Sequence, residues 1–202
     1  MYRSKEIRWF TQEENKRICN WFAKQKLDFN TITARTDYYL VALDNEHTIP
    51  KLREGRVEIK YRVGIPRIHQ LSPNAEGYFE EFVKWSFQLD AGDALAEEII
   101  DWNQYATEWV EVVKQRLGLK LSKGNKGTLE IHDIKECIAS GCQIEYTRIR
   151  VKNQTWYSFN LEWFGAEFIN LDPSFISEIV GASVLRLKDS MSYGGFMKRV
   201  KR

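Results

Sequence analysis

Residues 56–63 alternate charged and apolar side chains in a pattern that is suited to binding an anion. Alternate residues of a β-strand point to the same face, so this stretch predicts a strand with one charged and one apolar face. Basic residues on one face can neutralise phosphate oxygens, and an interleaved carboxylate can bind a divalent cation. The charged positions are Arg56, Glu58, Lys60 and Arg62, and the apolar ones are Val57, Ile59, Tyr61 and Val63.

Several other segments show the same alternation, so the charged face is a property of the whole predicted sheet and not of one strand. In the last of these segments the polar positions oppose a strongly aromatic face. The polar sets are Glu6 and Arg8; Arg35 and Asp37; Lys51 and Arg53; Arg148, Arg150 and Lys152; and Ser158, Asn160 and Glu162.

Two folds explain these faces. The first is an open antiparallel sheet with helices on one side and water on the other. The second is a barrel whose polar faces line a wet lumen, where basic residues focus positive potential on an anion. Aromatic residues on the opposite faces, such as Tyr61, Phe159 and Trp163, need a covering layer, and the predicted helices supply it. We therefore expect an α+β fold, an antiparallel, tunnel-like β-barrel with helices packed outside.

The strands of this fold are predicted from β-branched and aromatic content and from turn signals between them. Glu54-Gly55 indicates the turn of one hairpin, and Asn153-Gln154 the turn of a second. The predicted strands cover residues 6–10, 34–43, 48–53, 56–63, 128–132, 142–151 and 155–164.

The helices are predicted from capping residues and from apolar residues at helical spacing. Thr11 begins a capping box with Glu14, which predicts a helix to about residue 26. Two further helices are expected at 76–89 and at 95–117, the second closed by Gly118. Asp172-Pro173 opens a short helix that Gly181 closes, and a basic tail at 196–202 is expected to fray.

Length and composition argue against several other classes of protein. The chain has 202 residues, which predicts a single domain over 1–202, and its net charge of +2 does not by itself indicate an anionic partner. Three cysteines without a CxxC pair and three scattered histidines argue against a disulfide framework and a zinc site. No apolar run is long enough to span a membrane, and the N-terminus lacks the apolar core of a signal peptide, so we expect a cytoplasmic protein.

The chain resembles the CYTH superfamily, the triphosphate tunnel enzymes. The segments RTDYYLV and KLREGRVEIKYR look like the early strand block of that family. The later NLEWF and DSMSYGGFM look like its closing glutamate strand and the serine-tyrosine segment that follows. The resemblance implies an eight-stranded antiparallel tunnel that binds triphosphate groups and cleaves phosphoanhydride bonds with Mg²⁺ or Mn²⁺. It implies as partner a phosphorylated small molecule or polyphosphate.

The resemblance also implies roles for individual residues. Glu6, Glu162 and Lys60 would be catalytic, and Glu6, Glu58 and Glu162 would hold the metal. Metal-assisted phosphoryl transfer needs such carboxylates together with cations that neutralise the transferred group. The phosphate-binding residues would be Lys51, Arg53, Arg56, Arg62, Arg148, Arg150 and Lys188.

Two differences from the family pattern change the expected chemistry. The opening strand carries Arg8 and Phe10 where the family has glutamate and lysine, and Asn160 precedes Glu162 where a second acid is usual. A site with more cations and fewer acids should bind a polyanion and hold a metal poorly. The alternative function is that of a noncatalytic interaction or nucleic-acid-binding protein that uses a basic sheet face or the basic tail. Asp37, beside Tyr38 and Tyr39, is expected to be a strand surface residue.

Overall fold

The structure, a computed structural model, describes residues 2–41, 45–102, 108–124 and 128–201. Nine strands and four α-helices, with two short 3₁₀ turns, make up the described chain. The elements are β1 (Tyr2–Thr11), α1 (Lys16–Lys24), β2 (Arg35–Leu40), β3 (Thr48–Arg53), β4 (Arg56–Ser72), β5 (Ala75–Gln88), α2 (Ala94–Trp102), β6 (Trp109–Lys123), β7 (Leu129–Asp133), β8 (Gly141–Val151), β9 (Gln154–Phe164), α3 (Pro173–Val180) and α4 (Tyr193–Lys201).

Eight antiparallel strands close into a barrel, as the charged strand faces predicted. The order around the barrel is β2-β3-β4-β5-β1-β9-β8-β6, and β6 pairs back to β2. Strand β6 is long enough to pair with two strands along one edge: its first half pairs with β2 and its second half with β7. Closure leaves no open edge between β2 and β6, and it gives the sheet an inside and an outside.

Two tight hairpins fix the register of the strands that carry most of the charged residues. Glu54 and Gly55 both have positive φ angles between β3 and β4, and so do Lys152 and Asn153 between β8 and β9. Paired left-handed residues match the twist of two-residue hairpins. The first turn lies where the sequence predicted it, and the second lies one residue earlier.

The outer face of the barrel packs against α1 and α3. Ile18, Trp21 and Phe22 of α1 and the buried isoleucines of α3 cover apolar residues of β1, β6, β8 and β9. These strands therefore bury both faces, one against helices and one in the lumen. The strand residues in this layer include Ile7, Trp9, Leu117, Ile144, Phe159, Leu161 and Trp163.

One end of the lumen is filled by apolar side chains, which we call the apolar plug. Helix α4 inserts Phe196, which stacks on Phe10 at a ring-centroid distance of 4.0 Å and meets Trp156 edge-on at 5.4 Å. Gly194 lets the helix approach this closely, because a Cβ atom there would lie 2.5 Å from the Glu46 carbonyl oxygen. The other members of the plug are Tyr39, Val41, Ile49, Phe82, Val110, Val112, Ile149, Val151 and Met197.

Two features of the secondary structure differ from the sequence prediction at helix boundaries, and a third agrees with it. Helix α1 begins at Lys16 instead of near Thr11, because β1 extends through Thr11 and pairs there with Tyr157. Asn15 is the N-cap, and its Oδ1 accepts hydrogen bonds from the amides of Arg17 and Ile18. Residues 196–201, expected to fray, belong to α4, whose Phe196 is fully buried. Asp172 caps α3, and Gly181 ends it, as predicted.

The predicted helices at 76–89 and 95–117 are wrong over most of their length. Residues 75–88 form strand β5, and only 94–102 are helical in the second segment, which continues as strand β6 from Trp109. Residues 103–107 lie outside the described residues. Both strands carry apolar residues on both faces, so their sequence lacks alternation and matches helical spacing by chance. No helix among the described residues is long and apolar enough to cross a membrane.

The apolar plug predicts a large loss of stability when its central ring is removed. Phe196→Ala should lower the free energy of unfolding by about 3–5 kcal/mol, because it leaves a cavity in a packed region. Urea unfolding followed by tryptophan fluorescence measures this change. Phe87→Ala is the matched control, because Phe87 is half exposed on the outer face of β5 and should cost less than about 1 kcal/mol. Equal losses for the two variants would contradict the plug.

Candidate functional site: a cationic cavity in the barrel lumen

Strand alternation decides which side chains enter the lumen. Glu6 and Arg8 point inward from β1, and their register partners on β9 are Glu162 and Asn160. Neighbouring residues across an antiparallel pair share a face, so inward positions can be followed from strand to strand around the barrel. The inward face is apolar at the plug and polar from the plug to the other end.

The polar part of the lumen holds a cavity of about 310 Å³. Eight basic and four acidic side chains line it, which is an excess of four positive formal charges. The basic residues come from six different strands, so only the closed barrel brings them together. They are Arg8, Arg35, Lys51, Arg53, Lys60, Lys84, Lys114 and Arg116, and the acidic ones are Glu6, Glu58, Glu145 and Glu162.

Asp37 of β2 lies behind the cavity wall and holds three of these cations. Its side chain is fully buried. Lys114 Nζ lies 2.9 Å from Asp37 Oδ2, and Arg53 donates to both carboxylate oxygens at 3.1 and 3.2 Å. Arg35 Nε donates to Oδ1 at 3.0 Å. Burial alone would raise the pKa of Asp37, but Lys114, Lys51 and Arg53 together hold it well below its ordinary value.

Glu58 organises a second group of cations on the adjacent strands. Lys51 Nζ lies 2.7 Å from Glu58 Oε2, and Arg53 Nη1 lies 3.4 Å from Oε1. Lys84 Nζ lies 3.7 Å from Glu58 Oε2. Burial opposes ionisation of Glu58, yet Lys51 and Arg53 lower its pKa to about 2. Arg53 therefore links the Asp37 and Glu58 groups into one network.

Lys60, two residues after Glu58 on β4, lies between two carboxylates. Its Nζ contacts Glu6 Oε2 and lies 3.5 Å from Glu162 Oε1. Arg8 Nη2 lies 3.8 Å from the same Glu6 oxygen. Burial alone would lower the pKa of Lys60, but Glu162 and Glu6 raise it above its ordinary value, so the ammonium group stays charged. The face of Phe82 lies beneath this ammonium, at 4.5 Å from the ring centroid.

Tyr193, the first residue of α4, forms the floor of the cavity above the apolar plug. Lys114 Nζ lies 3.9 Å from the Tyr193 ring centroid, and the Arg8 guanidinium lies 4.9 Å from it. Tyr39 stacks against Tyr193 and accepts a hydrogen bond from Lys114 at 2.6 Å. Arg8 Nε is buried and has no hydrogen-bond partner among the described residues. The floor thus holds two buried cations, each beside the Tyr193 ring and one carboxylate.

Two lysines of the cavity, Lys51 and Lys114, have lowered pKa values. Burial, helped by Arg53, lowers the pKa of Lys51 to about 7 although Glu58 lies beside it. Burial also lowers the pKa of Lys114 well below its ordinary value, and Lys51 and Arg53 add to this effect. A lysine loses charge in this way when its surroundings supply too little negative charge. The carboxylates beside these two lysines therefore do not offset the effect of burial.

The cavity contains all the residues that the sequence assigned to catalysis or to a metal, but only some of those assigned to phosphate binding. Lys51, Arg53, Lys60, Glu6, Glu58 and Glu162 line it. Arg62 lies on the inward face of β4 but does not line the cavity, and its guanidinium pairs with Glu80 at 2.7 Å. The other four lie elsewhere: Arg56 is exposed and bonds Gln88, Arg148 lies on the outer face beside Glu14, and Arg150 and Lys188 are exposed.

Sequence reasoning also missed residues that the cavity needs. Asp37 is buried at the centre of the cation network, so its assignment to the strand surface is wrong. Arg8 was counted only as a departure from a family pattern. The residues with no earlier assignment are Lys84, Lys114, Arg116 and Glu145, of which the first three lie in segments predicted as helix. Lys114 and Arg116 are two residues apart, as are Lys84 and Ser86, so a correct strand assignment would have placed each pair on one face.

The carboxylates do not fit a divalent cation as they stand. No group of three or more His, Cys, Asp or Glu side chains that could hold a metal ion occurs among the described residues. Glu6 and Glu162 lie together, but the Lys60 ammonium lies between them, and Glu58 pairs with Lys51 instead. Hard cations take six or more oxygen ligands, and this donor set offers few that are not already paired with a cation.

Fold and site together define a closed antiparallel β-barrel with a buried cationic cavity. No known family profile matches the sequence, and no curated protein matches it. Among solved structures, the PH1012 protein of Pyrococcus horikoshii is similar, with a TM-score of 0.41 and 13% identity over 92% of this chain and 94% of that one. A Bacillus halodurans protein provisionally described as an adenylate cyclase is similar with a TM-score of 0.37 and 7% identity over 83% of each chain. Both likenesses are low, so function has to be argued from the residues of this chain.

The carboxylates of the cavity predict acid sensitivity. Burial disfavours the charge on Glu145, but Arg116 at 2.7 Å and Arg8 lower its pKa to about 2. A carboxylate with a lowered pKa stabilises the folded state above its unfolded pKa, and this contribution is lost as the pH falls. The free energy of unfolding should therefore fall from about pH 5 to about pH 2. Glu145→Gln should remove up to about 3 kcal/mol of this dependence.

Chemical denaturation at several pH values gives the comparison. Glu167→Gln is the control, because Glu167 lies on the exposed segment after β9 and should leave the pH profile of the unaltered protein in place. If Glu145→Gln shows the same slope as the unaltered protein, the ion pair with Arg116 contributes nothing to folding.

Proposed function

We propose that this protein binds the phosphate groups of a polyphosphate-bearing ligand inside its barrel. The observation that supports this most directly is the convergence of eight basic side chains on one cavity of about 310 Å³. Buried charges are costly unless they are compensated, and the eight cations share only five carboxylates, the four that line the cavity and Asp37 behind it, which leaves three positive formal charges in excess. A compact ligand with several negative charges would supply the missing partners.

The lowered pKa values of two lysines also favour an anionic ligand. Lys51, with a pKa of about 7, and Lys114, with a pKa lowered well below normal, are both less protonated than free lysine. An anion that binds beside them favours their charged forms, so binding should restore the charge that burial removed. A neutral ligand would not favour the charged forms in this way.

The shape of the lumen favours a ligand that enters by one end. Tyr193 and the apolar plug close the lumen at α4, whereas Tyr2, Lys84 and Arg116 are partly exposed at the other end. Arg8 and Lys114, at the floor, are almost completely buried. A terminal phosphate would reach the floor, and the group that carries the phosphates would remain at the open end near Tyr2 and Phe164.

Isothermal titration with tripolyphosphate tests this proposal. Lys84→Gln and Arg35→Gln should each weaken binding by about tenfold, corresponding to about 1.4 kcal/mol. Both residues are partly exposed, and their carboxylate partners keep other cations, so neither change leaves a buried acid unpaired. The matched controls are Lys188→Gln and Arg150→Gln, whose side chains are exposed outside the cavity and whose loss should leave affinity unchanged.

The alternative use of basic residues, binding of nucleic acid on an outer face, gives a different result. A short RNA with a 5′-triphosphate and the same RNA with a 5′-hydroxyl should then bind equally, and Arg150→Gln should weaken both. The cavity predicts instead that the 5′-triphosphate decides binding. Failure of tripolyphosphate to bind at all would refute the proposal.

Turnover is tested in the same samples. We propose Glu162 as the carboxylate that would assist hydrolysis, because it lines the cavity and is less buried than Glu6. Tripolyphosphate, thiamine triphosphate and ATP are incubated with Mg²⁺ or Mn²⁺, and phosphate release is measured. Release that disappears in Glu162→Gln would identify a phosphohydrolase. Binding without release would identify a binding protein.

A further inference from the structure

The geometry points to binding of the polyphosphate group without a divalent cation, with the Lys60 ammonium taking the cation's place between Glu6 and Glu162. This inference rests on the proposed function and concerns how the same cavity neutralises its ligand. Glu6 and Glu162 are register partners on β1 and β9, so their carboxylates project side by side into the lumen. Two adjacent carboxylates repel each other when both are ionised, and either a shared proton or a cation between them relieves this repulsion.

Lys60 provides that cation from β4. Its Nζ contacts Glu6 Oε2 and lies 3.5 Å from Glu162 Oε1, so one positive charge bridges the pair. Arg8 Nη2, 3.8 Å from Glu6, adds a second positive charge on the floor side. A metal ion between these carboxylates would have to displace the ammonium, and the displaced charge would remain buried in a cavity already rich in cations.

The other acids of the cavity are paired as well. Glu58 contacts Lys51 at 2.7 Å, and Glu145 contacts Arg116 at 2.7 Å. Their pKa values of about 2 reflect these cations, which outweigh burial. Metal ions that bridge carboxylates to phosphate neutralise the charge of the phosphate. In this cavity the excess of basic side chains can do so directly.

Divalent cations should therefore compete with the protein for the ligand. Mg²⁺ binds polyphosphate in solution and reduces the negative charge that the cavity recognises. A protein site that needs Mg²⁺ as a bridge behaves in the opposite way, because the metal then supplies attraction that the carboxylates alone cannot. The sign of the Mg²⁺ effect on affinity separates the two arrangements.

The experiment titrates tripolyphosphate into the unaltered protein, once with EDTA and once with excess Mg²⁺. We expect binding in EDTA and a several-fold weaker apparent affinity with Mg²⁺. Binding that requires Mg²⁺, or is tighter with it, would overturn the inference and leave the proposed function standing. Absence of binding in both buffers would instead overturn the proposed function.

A second measurement uses Mn²⁺ alone and needs no phosphate. Lys60→Met removes the bridging charge and leaves Glu6 and Glu162 adjacent, so the variant should bind Mn²⁺ at least about tenfold more tightly than the unaltered protein, as followed by electron paramagnetic resonance of free Mn²⁺. Lys188→Met, on the exposed 3₁₀ turn, is the control and should show no gain. A folded Lys60→Met protein without a gain overturns the role of Lys60. If that variant does not fold, the EDTA comparison on the unaltered protein still decides.

Discussion

The pairing of Asp37 with cations from three strands is the interaction on which the lumen depends. Lys114, Arg53 and Arg35 all contact this one buried carboxylate, and they come from β6, β3 and β2. Charges taken out of water are tolerated only when they are paired and hydrogen-bonded. The contacts join the strands at the point where β2 and β6 close the barrel, so electrostatics and closure support each other.

The lumen divides into two parts along the barrel axis because the inward face of each strand changes character. In β1 the inward residues run from Glu6 and Arg8 to Phe10, and in β9 from Glu162 to Trp156. Helix α4 seals the apolar part with Phe196 and presents Tyr193 to the polar part. An apolar wall behind the cations lowers the local dielectric and strengthens their field. The plug therefore both stabilises the fold and shapes the electrostatics of the cavity.

The positions of the charges within the cavity determine where an anion would be attracted, more than their number does. Each lining acid has a basic neighbour, whereas Arg8 and Lys114 on the floor face an aromatic ring and a single buried acid. Anions are attracted where positive charge is in excess and water is partly excluded. The floor and the Lys51 wall meet this condition, while the acids serve to position the cations.

Part of this arrangement could be predicted from the sequence alone. Alternation and turn residues determined the hairpins at Glu54-Gly55 and near Asn153, and they placed Lys51, Arg53 and Lys60 on one polar face. The same rule failed for β5 and β6, because both strands carry apolar residues on their two faces, which hides the alternation with period two. Lys84, Lys114 and Arg116 were missed for that reason.

Strand β8 shows what only the tertiary structure decided. Both of its faces mix polar and apolar residues, and the sequence favoured Arg148 and Arg150 as the inward set. Pairing with β6 and β9 turns Glu145 and Thr147 inward instead and leaves Arg148 against Phe29 on the outer face. The local sequence determines which residues of a strand share a face, because successive side chains point to opposite faces. Which face points into the barrel depends on pairings between residues far apart in the chain, and these exist only once the sheet has closed.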